Sequence, residues 1–129
     1  MSNKFKVEII TPDKSIFKSD VVEVVIPSYE GQMGILKDHI SLITFLRPGI
    51  IIVQDKDEKK FYVEEGIVEF SNNELLILTS TIKDIKYLDK NLINNLMEQA
   101  EKKFKDENST DKEKYILSYK IDTLKEISR

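Results

Sequence analysis

The spacing of apolar residues changes once along this chain, and that change does most to limit the fold. Up to about Leu88 the period is two. Phe5, Val7 and Ile9 alternate with Lys6 and Glu8, the pattern of a strand with one buried face. Residues 21–26 are rich in β-branched side chains and form another strand, which Pro27 is expected to end. Residues 50–54, 61–64 and 67–70 are further strands. Residues 75–78 are almost continuously apolar, which predicts a strand covered on both faces. Turn signals separate these runs: Thr11-Pro12-Asp13, a polar tip at residues 55–59, and Asn72-Asn73, whose side chains tolerate positive φ. Pro48-Gly49 suits the centre of a type II turn. Gly66 interrupts an extended run and predicts a bulge or corner. Many short strands over residues 1–87 describe a β-sandwich or flattened barrel.

Beyond Tyr87 the period becomes helical. Asp89 is an N-cap candidate, with Leu88 and Ile93 placed for a hydrophobic staple. Leu92, Ile93, Leu96, Met97, Ala100 and Phe104 then recur at spacings of three and four. Residues 106–109 break the pattern, and Thr110 with Glu113 makes a capping box for a second helix. Ile116, Leu117, Ile121, Leu124 and Ile127 share one face of it. Residues 88–129 therefore read as an antiparallel helical hairpin. Each helix has a narrow apolar stripe and a charged back, so its docking energy is small enough to redistribute.

Composition removes several function classes. Acids and bases are interspersed and the net charge is −3, which argues against a nucleic-acid binder working through bulk charge. The chain has no cysteine, hence neither a disulfide nor a thiolate-held metal. No apolar run is longer than residues 50–53, which are too few to span a bilayer, and residues 1–5 show no signal-peptide core. Membrane association would come through a partner. His39 is the single histidine, so it lacks the companions that a metal site or a catalytic set requires. Gly31 and Gly34 lack the lysine of a phosphate loop, and Glu64, Glu65 and Glu69 read as a solvated rim. No catalytic, cofactor-binding or metal-binding residues are assigned. The chain has only four glycines, and three of them fall between residues 31 and 49. The segment of residues 30–49 is thus expected to present its loop as a docking edge for something outside the chain.

The joint spacing of these motifs resembles the epsilon subunit of F-type ATP synthase. Val-Glu-Ile-Ile-Thr-Pro followed by Phe occupies residues 7–17. An acid-Gly-x-x-Gly-Ile-Leu-x-x-His pattern with a following leucine occupies residues 30–42. Leu-x-Pro-Gly occupies residues 46–49, and glycine before a hydrophobic-acid pair occupies residues 66–69. The resemblance covers the whole chain and implies a mainly β N-terminal sandwich plus a C-terminal α-helical hairpin. It implies a non-catalytic rotor subunit of a proton-translocating enzyme, linking the gamma subunit to the c-subunit ring. Its place would be the cytoplasmic face of a bacterial inner membrane, held there by the complex. By position, Glu30, Gly31, Gln32 and His39 would face the c ring. Ser41, Leu42, Ile43, Phe45 and Leu46 would lie along gamma. Leu88, Asp89, Leu92, Tyr115 and Tyr119 would belong to a regulatory hairpin that meets the catalytic alpha/beta head when extended. Three departures stand out. Ser28 replaces the family's usual Gly and Lys37 a frequent Pro. Some members bind ATP through Leu-Asp-x-x-Arg-Ala, but here Leu92 and Ile93 occupy the Arg and Ala positions, which removes the bidentate phosphate partner. The alternative reading is a free-standing nucleotide-sensing domain.

Overall fold

A computed structural model describes residues 3–128. Ten strands precede two helices: β1 (Phe5–Ile10), β2 (Ser15–Val21), β3 (Glu23–Ser28), β4 (Gly31–Leu36), β5 (Leu42–Leu46), β6 (Gly49–Gln54), β7 (Glu58–Val63), β8 (Gly66–Ser71), β9 (Glu74–Leu78), β10 (Ile82–Asp84), α1 (Lys90–Phe104) and α2 (Asp111–Ser128). The sheet runs β10-β7-β6-β3-β5-β8-β9-β1-β2, with β4 paired to β3 off this path. Its concave face is filled by inward residues of nearly every strand, including Phe5, Val7, Ile9, Val24, Ile26, Ile35, Ile51, Val68, Phe70 and Ile77. Alternation in β1 and β8 places these side chains, because successive residues of a strand point to opposite faces.

Four local expectations are corrected. Pro27 does not end its strand. It lies inside β3, opposite Gln32 of β4. Pairing of β3 with β6 covers Glu23 to Val25 and pairing with β5 begins at Ser28, so the missing proline N–H falls at the changeover between them. Residues 31–36 are not a loop but strand β4, joined to β3 by a tight turn. Ser28 Oγ donates to the Gly31 carbonyl at 2.7 Å and accepts from the Glu30 amide at 3.2 Å. The glycines of positive φ are Gly31 and Gly66, so Gly49 does not serve a type II turn. It serves a close approach instead: a Cβ there would stand 2.5 Å from Pro27 Cβ. Residues 75–78 are covered on one face only. Leu75 and Ile77 are buried, whereas Leu78 projects from the uncovered outer side of the sheet. Strand β10, which pairs with β7, is too short and mixed to signal itself in the sequence.

The helices begin where their caps predict. Asp89 accepts from the Leu92 amide at 2.7 Å. Thr110 and Glu113 form the reciprocal box, with Glu113 N donating to Thr110 Oγ1 at 3.1 Å and Thr110 N donating to Glu113 Oε1 at 3.3 Å. A second apolar cluster, separate from the sheet interior, gathers Leu88 and Ile93 of the staple with Leu124 of α2 and Tyr62 of β7. The hairpin thus packs on the outer side of the sheet around β6 and β7.

Gly66 marks a sheet corner. The Glu65 carbonyl accepts from Thr79 Oγ1 at 2.6 Å, and the Glu65 carboxylate accepts from the Ser80 amide at 2.9 Å and from Thr81 Oγ1 at 3.3 Å. A Cβ on Gly66 would stand 2.7 Å from the Leu78 carbonyl oxygen and 2.9 Å from Leu46 Cδ1. Gly66→Ala is therefore expected to cost about 1–3 kcal/mol and to lower the thermal midpoint; an unchanged melt contradicts the close approach. Partial burial pushes the Glu65 pKa up, but hydrogen bonds from Ser80 and Thr81 outweigh it and hold the carboxyl below its usual range. A lowered folded-state pKa gives stability that is present above the ordinary glutamate value and lost as pH falls. The stability difference between wild type and Glu65→Gln, measured by urea unfolding, should be present at pH 7 and shrink below about pH 4. A difference independent of pH would contradict this assignment.

Candidate interaction surface

The structure divides the predicted c-ring set between the two ends of β4. Glu30 and Gln32 are exposed at the turn into β4, and Gly31 has φ 118° with nothing within 4 Å of an added Cβ. His39 lies beyond the far end, roughly 17 Å away along the strand. There the chain turns through Asp38, a non-glycine residue at φ 68°. The strain is offset by a reciprocal bridge to the β8–β9 turn: Asp38 N donates to Asn73 Oδ1 at 2.7 Å, and Asn73 Nδ2 donates to Asp38 Oδ1 at 3.0 Å. His39 is half-buried, its ring edge-to-face with Phe70 at 6.0 Å and its Nδ1 2.8 Å from the Ile40 carbonyl oxygen. These contacts make it a packed wedge. Among the described residues no three His, Asp or Glu side chains gather as a metal-binding group. The segment is stiff because it is strand and pinned turn.

Strand β5 sorts the predicted gamma set by face. Ile43 and Phe45 project outward, 72% and 58% exposed, and Ser41 is exposed before them. Leu46 is only 1% exposed, and Leu42 packs against the sheet interior, so neither offers a free side chain. The ladders extend the outward row into residues that the sequence did not single out. Phe45 lies opposite Ile67, Ile67 opposite Leu78, and Leu78 beside Ile10. Ile67 and Leu78 are 43% and 41% exposed. The result is an apolar band across β5, β8 and β9 that none of the described elements covers, flanked by Glu69 opposite Ile43. Alternation in each strand carries the signal, but only the register unites the strands.

The hairpin meets the sheet through a polar seam that the sequence did not reveal. Arg47, in the β5–β6 connection, lays its guanidinium carbon 4.0 Å from the Tyr119 ring centroid. Its NH1 donates to the Pro48 carbonyl at 3.1 Å, and its buried Nε has no hydrogen-bond partner. Tyr119 and Tyr115 share a hydrogen bond of 3.1 Å between hydroxyls, and their rings meet edge to face. That bond also raises the Tyr115 pKa. Nearby, Lys120 Nζ lies 3.2 Å from Glu64 Oε1, and Tyr62 donates to Glu64 Oε2 at 3.1 Å. Burial, followed by the Glu64 charge, pushes the Tyr62 phenol far up, so it remains a neutral donor. Leu88 is buried in the hairpin cluster, Leu92 is half-buried against it, and Asp89 is exposed as the cap.

Residues 4–85 match the family described as ATP synthase, Delta/Epsilon chain, beta-sandwich domain. The ATP synthase epsilon chain of Pelagibacter ubique is 54% identical over 130 aligned residues, covering 99% of this chain and 100% of the relative. That of Dichelobacter nodosus is 36% identical, covering 81% of this chain and 75% of its own length. A chain of the Euglena gracilis mitochondrial ATP synthase, solved as OSCP/F1/c-ring, shares the fold with a TM-score of 0.84 at 20% identity, covering 100% of this chain and 84% of that one. The sandwich match and the full-length relative together establish that this chain belongs to the family of ATP synthase epsilon chains.

Proposed function

We propose that this chain is a non-catalytic central-stalk subunit of a proton-translocating F-type ATP synthase, joining the gamma subunit to the c-subunit ring. The observation that carries this reading is the bare apolar band of Ile43, Phe45, Ile67 and Leu78 on a rigid sheet. An apolar face of this kind fits a permanent protein interface. Family membership supplies the assembly, and two structures sharing the fold come from such assemblies, described as OSCP/F1/c-ring and as central stalk/c-ring. Ser41, Ile43 and Phe45 lie along gamma, with Ile67 and Leu78 extending the contact. Glu30, Gly31 and Gln32 meet the polar loops of the c ring, and His39 holds the far end of β4 in shape. Among the described residues no helix is long and apolar enough to cross a membrane. On this reading the chain is held at the cytoplasmic face of the bacterial inner membrane by its partners.

Residues 88–129 act as a regulatory arm. Docked, Tyr115 and Tyr119 are engaged at the Arg47 seam; extended, they reach the alpha/beta head and oppose ATP hydrolysis. The nucleotide-sensor alternative is disfavoured, because Leu92 stands where a phosphate-binding arginine is needed and is packed against the hairpin cluster.

Replacing Ile43 and Phe45 together by Ser should reduce retention of this chain on purified gamma at least tenfold with an unchanged melting curve. Full retention by the double variant would exclude the band as the gamma face. Arg47→Ala removes a cation–π contact of about 0.5–2 kcal/mol. It should shift the arm outward and lower ATP hydrolysis by the reconstituted enzyme several-fold, with synthesis maintained. Unchanged hydrolysis together with unchanged proteolytic protection of α2 would rule out the seam as the arm's restraint.

A further inference from the structure

We propose that the gap between the two end strands of the sheet is a docking groove for an extended, acidic polypeptide segment. Strands β2 and β10 terminate the sheet order, and each pairs on one side only, β2 with β1 and β10 with β7. Curling of the sheet brings both ends to the walls of one open cavity of about 690 Å³. Its floor is aromatic, with Phe17 and Phe61 edge to face at 5.9 Å. Its rim carries Lys14, Lys59, Lys83 and Lys86. The ion pairs among the described residues involve Lys4, Lys60 and Lys120 instead, so none of these four has a carboxylate partner. Lys59 Nζ sits 5.5 Å from the Phe17 ring centroid. The one acid on the wall, Asp84, accepts a hydrogen bond from the Lys86 amide at 3.0 Å. In a chain of net charge −3, an unneutralised cationic groove of this size selects for an anion.

Two features favour a polypeptide over a small phosphate ligand. The lysines come from four separate segments, the loop before β2, β7, β10 and the turn before α1, so positive charge is spread along the groove. The free strand edges offer main-chain donors and acceptors that only another backbone can match in register, with alternate acidic side chains reaching the lysines.

The test is fluorescence anisotropy of a fluorescein-labelled octapeptide of alternating Glu and Val, titrated with the full chain at physiological salt. Saturable binding is expected. The combined Lys14→Gln, Lys83→Gln, Lys86→Gln variant should bind at least tenfold more weakly, with its far-UV spectrum and melt confirming that it folds. The same peptide N-methylated at alternate residues should also bind at least tenfold more weakly to the wild-type chain, a comparison that needs no variant. Absence of saturable binding to wild type would overturn the proposal and leave the lysines as guards against edge pairing. Equal binding of the N-methylated peptide, or of a Lys-Val peptide, would overturn it as well. So would full displacement by tripolyphosphate with no loss on N-methylation, which marks a small-anion site.

Discussion

A curled sheet buries one face by itself and must leave the other to something else. Here the inner face closes on Phe5, Ile9, Ile26, Ile51, Val68 and Ile77, and every second residue of the same strands is thereby committed to the outside. The outer side then divides. Around β6 and β7 it is covered by the hairpin, which anchors Leu88, Ile93 and Leu124 on Tyr62. Across β5, β8 and β9 it is bare, and there the outward residues are Ile43, Phe45, Ile67 and Leu78. Pleat and register thus create an apolar band that the chain's own helices do not reach. The proposed function assigns that band to a neighbouring subunit.

The two outer coverings differ in kind. The hairpin is held by a small apolar cluster and by a few half-buried polar contacts whose individual contributions are modest: Arg47 over Tyr119, and Lys120 with Glu64. The unpartnered Nε of Arg47 also counts against tight docking. A restraint of this strength suits a docked arm that can be released. The sheet is the opposite case, laddered throughout and pinned at its turns by Asp38 with Asn73 and by Glu65 with Ser80. Stiffness suits an element that transmits force.

Much of this was legible in the sequence wherever a signal is local. Alternation in residues 5–9, the cap at Asp89 and the box of Thr110 with Glu113 each depend on neighbours a few positions apart. What failed to show depends on register or on approach between distant segments. Strand β4 was hidden because its glycines suggest a loop, although its whole length pairs with β3. Gly49 suggested a turn, yet it makes room for Pro27. Leu46 belonged to a plausible contact run until alternation in β5 turned it inward. The band itself needed Phe45, Ile67 and Leu78 to fall in one row, which no single strand can announce. Arg47 gave no signal because its partner, Tyr119, lies 72 positions later in the chain.

The most direct test of the central claim is hydroxyl-radical footprinting with mass spectrometry, comparing the free chain with the same chain inside the purified ATP synthase. Phe45 and Ile43 should oxidise readily in the free chain and be strongly protected in the enzyme, while Leu36, exposed at the end of β4 and outside the band, keeps its reactivity. Equal oxidation of Phe45 and Ile43 in both samples would show that the band faces solvent in the assembly, and the account would be wrong.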